Sequence, residues 1–90
     1  MKEFINKEAL NKHKDKDFII FDRSKVRKWD RVLVWWSEYY IVAKYYNYKK
    51  ELDCYHLELD WDIILLKFIY YIDKRNIFKR LLDKITWKYL

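Results

Sequence analysis

The 90-residue chain contains no glycine and no proline. Glycine enters the left-handed backbone region without steric cost, and proline presets the first corner of the common turns. Every reversal here must therefore use other residues, and Asn47, Ser37 or lysines are expected at unusual dihedrals, or else the loops must be wider. The same absence removes whole classes of chemistry. A phosphate-cradling GxxxxGK[ST] loop, a GxGxxG dinucleotide turn and a GxSxG nucleophile elbow cannot be written without glycine. With Ser24, Ser37 and Thr86 as the hydroxyl nucleophiles and His13 and His56 as the imidazoles, a serine-type triad has few ways to assemble. The expectation is a protein that is not an enzyme and needs no cofactor.

A chain of 11.6 kDa fits one domain, taken as residues 1–90, and can bury only about two thirds of its unfolded surface. With 52% hydrophobic and 21% aromatic residues it has ample material for that small core, so disorder is not expected. Cys54 is the single cysteine and forbids an internal disulfide, while Met1 to Phe18 is too charged for a secretory signal. The apolar run from Ile63 to Ile72 is interrupted by Lys67 and falls far short of the roughly 20 residues of a membrane-spanning helix. A cytoplasmic protein is expected, in a microbe or in an infected host cell. The excess of Lys over Arg, with abundant Ile and Tyr, points to an AT-rich coding sequence and hence to a microbe, virus or mobile element.

Alternation and helical spacing divide the chain. Asn6 is placed to cap a short N-terminal helix through KEALNKHK. The segment from Val32 to Trp36 alternates as a strand, and if Ser37 and Glu38 turn a hairpin, Trp36 faces Tyr39, Val34 faces Ile41 and Val32 faces Ala43. In CYHLELDW, Tyr55, Leu57, Leu59 and Trp61 alternate with Cys54, His56, Glu58 and Asp60, which predicts a half-buried third strand. Bringing its apolar side to the same face requires a loop of odd length, such as Tyr48 to Leu52. From Asp62 the spacing turns helical, with Trp61, Leu65, Phe68, Ile69 and Ile72 on one face. Phe78, Leu82, Ile85 and Tyr89 follow on a rotated one, with Asn76 as a second cap. The predicted fold is α+β: a three-stranded antiparallel meander within about residues 31–61, packed by an N-terminal helix and two C-terminal helices. An all-α bundle is the alternative.

The stretch WWSEYYIVAKYYNY, residues 35–48, packs seven aromatic rings into fourteen positions. On the predicted register Trp35, Tyr40, Lys44, Tyr46 and Tyr48 share the face opposite the core. Rings around a lysine can form a protein-binding hot spot, and a self-complementary patch of that kind gives a homodimer. They can also stack the bases of single-stranded RNA or DNA, although Glu58 and Asp60 on the same face would repel phosphates. If the N-terminal segment covers that face, the rings are only core. The net charge is +6, with the excess of basic groups at the two ends of the chain. Lys79, Arg80, Lys84 and Lys88 offer a second, basic surface opposite the apolar side of the last helix, whose apolar residues are expected to cover the sheet. Cys54 and His56 are weak metal-ligand candidates, because no second Cys or His cluster completes a tetrahedral set. The expected function is non-enzymatic binding of a macromolecule through the aromatic face, with a protein partner or a second copy favoured over nucleic acid.

Overall fold

The computed structural model describes residues 3–13 and 16–86, with the backbone alone at 13, 84 and 86. Its dominant element is an antiparallel sheet, not a helical bundle. The described strands are β1 (Phe4–Asn6), β2 (Phe18–Ile20), β3 (Arg31–Trp36), β4 (Tyr39–Lys49), β5 (Cys54–Leu59), β6 (Asp62–Leu66) and β7 (Tyr71–Asp73). Helix α1 (Lys7–His13) follows β1 directly, and α2 (Ile77–Thr86) closes the described chain. The strand order is β2-β7-β3-β4-β5-β6, with β1 beside the first part of β4, and every pairing is antiparallel. No helix among the described residues is long and apolar enough to cross a membrane.

The spine is the β3–β4 hairpin, whose register pairs Trp36 with Tyr39, Val34 with Ile41 and Val32 with Ala43, as the alternation predicts. Ser37 makes the two-residue turn at φ 56°, and its carbonyl accepts a 2.7 Å hydrogen bond from Lys7 Nζ, which ties α1 to the turn. The buried pairs Val32, Val34, Ile41 and Ala43 join Tyr45, Leu57, Ile69 and Ile72 in a core on the first face, with Phe21 and Val26 packed over it. The second face has its own core, in which Ile5, Leu10 and Phe18 cover Leu33 and Tyr40. A sheet with two apolar faces requires cover on both. Asn6 Oδ1 accepts from the amides of Glu8 and Ala9 and so caps α1, which delivers Leu10 to that second face.

Two expectations are corrected. Among the described residues the sheet has seven strands instead of three, and there is one C-terminal helix instead of two. Asp62 opens a strand rather than a helix, because Asp60 and Trp61 form a two-residue hairpin turn with φ of 49° and 70°. Positive φ at both central residues is the type that twists with the strands and normally takes Asn-Gly or Asp-Gly. Here a tryptophan occupies the glycine position, so Trp61 leaves the predicted core strand and stands in solvent. Ile63 to Leu66 then pairs with β5, and a short apolar run of this kind has no period that separates strand from helix.

The β4–β5 connection departs from the predicted odd loop in an instructive way. Lys49 pairs with Cys54 across the four residues 50–53, an even loop that would turn the β5 apolar side away from the core. The register shifts at Tyr46, so Tyr45 pairs with Leu57 before it and Asn47 with His56 after it. One extra residue inside the strand does what an odd loop would have done at its end. The amide of Tyr45 bonds to the Asp30 carbonyl at 2.8 Å and its own carbonyl accepts from Trp29 at 2.6 Å, so residues 29 and 30 brace the bulge.

Candidate interaction surface

The bulge also redistributes the five ring-and-lysine residues expected on one face. Trp35, Tyr40, Lys44 and Tyr46 lie on the second face, whereas Tyr48, beyond the bulge, pairs with Tyr55 and packs against its ring at 5.3 Å on the first. Tyr40 is buried beneath Trp35, Tyr70 and Tyr71, whose rings meet it at 5.8, 5.9 and 5.7 Å. Burial pushes its phenol above the ordinary pKa, with Tyr71 and Tyr70 adding to the shift. Trp35 stays open above it, with Lys7 Nζ directly over the ring. On the other face of the same hairpin end, Trp36 and Tyr39 are also exposed. The hairpin end therefore presents rings on both sides, and sequence reading assigned Trp36 and Tyr39 to the core.

Tyr46 is enclosed differently. The Trp29 ring meets it edge-on at 5.6 Å, His56 packs on it at 4.9 Å, and Lys28 Nζ sits 4.4 Å from its centroid. Arg23 lies 4.1 Å over Tyr48, whose hydroxyl donates to Asp53 and is pushed to higher pKa chiefly by that bond. Cations thus already occupy ring faces that a base would need for stacking. Lys44 is exposed and stands in register between Arg31 and Glu58. Burial and then the charge of Arg80 pull the Arg31 guanidinium below its ordinary value.

The weak metal candidates are not brought together as a site. Among the described residues no three His, Cys, Asp or Glu side chains form a ligand group. The Cys54 thiol donates to the Leu52 carbonyl at 3.2 Å, and the two nitrogens of His56 are enclosed under Tyr46. A groove of about 230 Å³ opens between α2 and the β5–β6 turn, lined by Arg31, Lys44, Glu58, Asp60, Trp61 and Arg80 among others. It is smaller than the roughly 300–1,000 Å³ of a small-molecule pocket and its walls are charged rather than apolar.

Two residues of the basic surface expected on the last helix, Lys79 and Arg80, make ion pairs within the molecule, beside a buried arginine just before the helix. Arg75, with its side chain 1% exposed, bonds to Asp73 at 2.9 Å, to Glu3 at 2.9 Å and to Asp83 of α2 at 3.4 Å. Arg80 reaches Glu3 at 2.7 Å and Lys79 lies 3.8 Å from Asp83. Burial alone would lower the Arg75 pKa, but its hydrogen bond to Asp73 and the nearby carboxylates outweigh it and hold the guanidinium above its ordinary value. The Lys84 side chain and Lys88 lie outside the described residues. Asn76 Oδ1 accepts from the Lys79 amide at 2.7 Å and caps α2, as its position predicts. The orientation of the helix reverses the expectation. Its charged side docks on the body, because the buried Arg75 and Asp73 require ionic partners, while Ile77, Phe78, Leu81 and Ile85 face outward.

A second open apolar surface that sequence reading missed lies on the β5–β6 hairpin and the segment just after it. Trp61 is 92% exposed, Phe68 71%, Ile63 66% and Leu65 50%. The signal available in the sequence was that HLELDWDIILL holds apolar residues on both sides of an Asp-Trp pair, a spacing that also fits a two-residue turn. Comparison of this chain with protein-family models, with curated proteins and with solved structures gives no match.

Proposed function

We propose that this is a non-enzymatic protein-binding domain that engages its partner with the aromatic end of the β3–β4 hairpin. The observation that carries the reading is the exposure of Trp35 (51%) and Trp36 (57%) on opposite faces at the end of one hairpin, whose turn Lys7 ties to α1. Trp and Tyr on a preordered element are favoured hot-spot residues, since little conformational entropy is lost when they are buried. Lys7 and the buried Tyr40 contact Trp35, and a Trp35→Ser change removes the exposed ring while leaving Tyr70 and Tyr71 over Tyr40. The test is a photo-crosslinker at position 36 in the expressing cells. One protein should be captured in stoichiometric yield, and its capture should vanish with Trp35→Ser while circular dichroism is unchanged. Capture indifferent to Trp35 would end this assignment.

Nucleic-acid binding is the second reading, favoured by Arg23 over Tyr48 and Lys28 over Tyr46, cations that can meet phosphates although they cover ring faces. It requires affinity for labelled single-stranded RNA or DNA that falls steeply with salt and is lost when Lys28 and Arg23 are neutralised. Such a result would replace the protein-binding reading.

A further inference from the structure

Strand β6 ends the sheet, and its outer edge has no neighbour among the described residues. Leu59 and Asp62 flank the two-residue turn. In such a hairpin the flanking pair exchanges hydrogen bonds and the pairs alternate from there, so Asp62, Ile64 and Leu66 turn their backbone groups to β5, and Ile63 and Leu65 turn theirs outward. Natural edges are blunted by lysine, proline, bulges or inward charges. Residues 62–66 contain no Lys or Pro, and their pairing with β5 runs without a register shift. Ile63 and Leu65 pair with Glu58 and His56 and so lie on the second face, beyond the reach of the α1 cover.

We infer that β6 is the contact strand of a homodimer, pairing antiparallel with β6 of a second copy so that one continuous sheet crosses a two-fold axis. The inference uses residues distinct from the hairpin end proposed above and does not depend on it. Self-pairing is favoured over a foreign strand by the symmetry of the segment itself. Facing residues in an antiparallel pair share a sheet face, so the axis must pass through a residue. With Ile64 at the axis, Ile63 of each copy faces Leu65 of the other, and both are residues with outward backbone groups. With Leu65 there, Ile63 would face Lys67 instead.

The area is of the right order. Trp61, Ile63 and Leu65 together offer on the order of 400 Å² per copy, given their exposure and the size of such side chains. A standard interface buries about 800 Å² per partner, and the paired backbones add to the side-chain contribution. Trp61 supplies a further reason. A bulky residue at positive φ is costly, and at 92% exposure it gains little packing from the described residues to offset that cost. Burial against a second copy provides it.

Sedimentation equilibrium of the full chain from about 1 to 300 μM tests the assignment, a range set by an interface near the lower size limit. The mass should pass from monomer to dimer, and amide exchange at Ile63 and Leu65 should slow with concentration. Leu65→Lys, at a half-exposed side chain, should keep the fold and raise the dissociation constant at least about tenfold. Ile63→Lys should weaken the dimer likewise, and Ile63→Lys combined with Leu65→Glu should restore part of it, because these two positions face each other across the axis. A monomer at the highest concentration, or a dimer that survives Leu65→Lys, overturns the proposal. Failure of the Ile63→Lys, Leu65→Glu pair to restore association overturns the register with Ile64 at the axis. Trp35→Ser should leave the mass unchanged, which separates this contact from the hairpin-end reading.

Discussion

The two halves of the sheet are built from similar residues yet are protected differently. In the half formed by β2, β7, β3 and the start of β4, both faces are covered: Val32 and Val34 lie under Phe21 and Val26, and Leu33 lies under Leu10 and Phe18. In the half formed by the end of β4, β5 and β6, the first face holds Leu57 in the core while the second leaves Ile63 and Leu65 in solvent. The covering elements explain the contrast. Helix α1 spans seven residues, about 10 Å, and cannot reach across the whole sheet. Helix α2 could extend the cover but is turned over by the ionic cluster around Arg75. A small chain has enough apolar residues for two cores and too few elements to hide them all.

This contrast sets the scale of the expected mutational effects. The largest belongs to Arg75→Ala, which strands Asp73 and Asp83 without their shared partner in the covered half. It should cost about 3–5 kcal/mol in urea unfolding, and replacing Arg75 and Asp73 together by Met and Leu should cost less. Next comes a matched pair: Leu33→Ala should lose about 2–5 kcal/mol, whereas Leu65→Ala at low concentration should stay within about 1 kcal/mol. Equal losses at the two positions would mean that the halves are equally covered.

A pH effect of intermediate size should follow from Glu3. Burial raises its pKa, but the hydrogen bond and charge of Arg80, with the charge of Arg75, outweigh burial and hold it below the ordinary value of 4.5. A depressed carboxylate stabilises the fold above its unfolded pKa, and that contribution is lost as pH falls through the folded one. Stability should therefore decline below about pH 4.5, and Glu3→Gln should flatten the decline. A wild-type slope retained in Glu3→Gln would assign the acid sensitivity to another group. The smallest effect is expected at the edge turn. Trp61→Gly removes the side chain from a left-handed position and should stabilise the monomer by up to about 1 kcal/mol, while weakening the dimer.

What could be read from the chain was local. The β3–β4 register followed from alternation because one-residue slips would expose Val32, Val34, Ile41 and Ala43 together. The caps at Asn6 and Asn76 followed from side chains that reach amides two or three residues away. The candidate site was legible only in part. Trp35 and Lys44 stand exposed on one face, but Tyr48 was displaced by a bulge that leaves no mark in composition, and Tyr40 was covered by an element far along the chain. The edge strand escaped because Ile63 to Leu66 satisfies helix and strand alike, and because an Asp-Trp pair is an improbable turn in any propensity scale.

By itself the sequence determined that no glycine-built phosphate or nucleophile motif can be written in these 90 residues, that the middle of the chain pairs as a hairpin with Val32, Val34, Ile41 and Ala43 inside, and that two helices start at asparagines. These are matters of residue type and short-range spacing. Tertiary structure alone decided that Arg75 meets Glu3 across 72 residues and Arg80 meets it across 77, which turns the apolar side of α2 outward. It also decided which half of the sheet is left bare. A buried guanidinium must find carboxylates wherever the fold brings them, and that demand outweighs the preference of one amphipathic helix for the core.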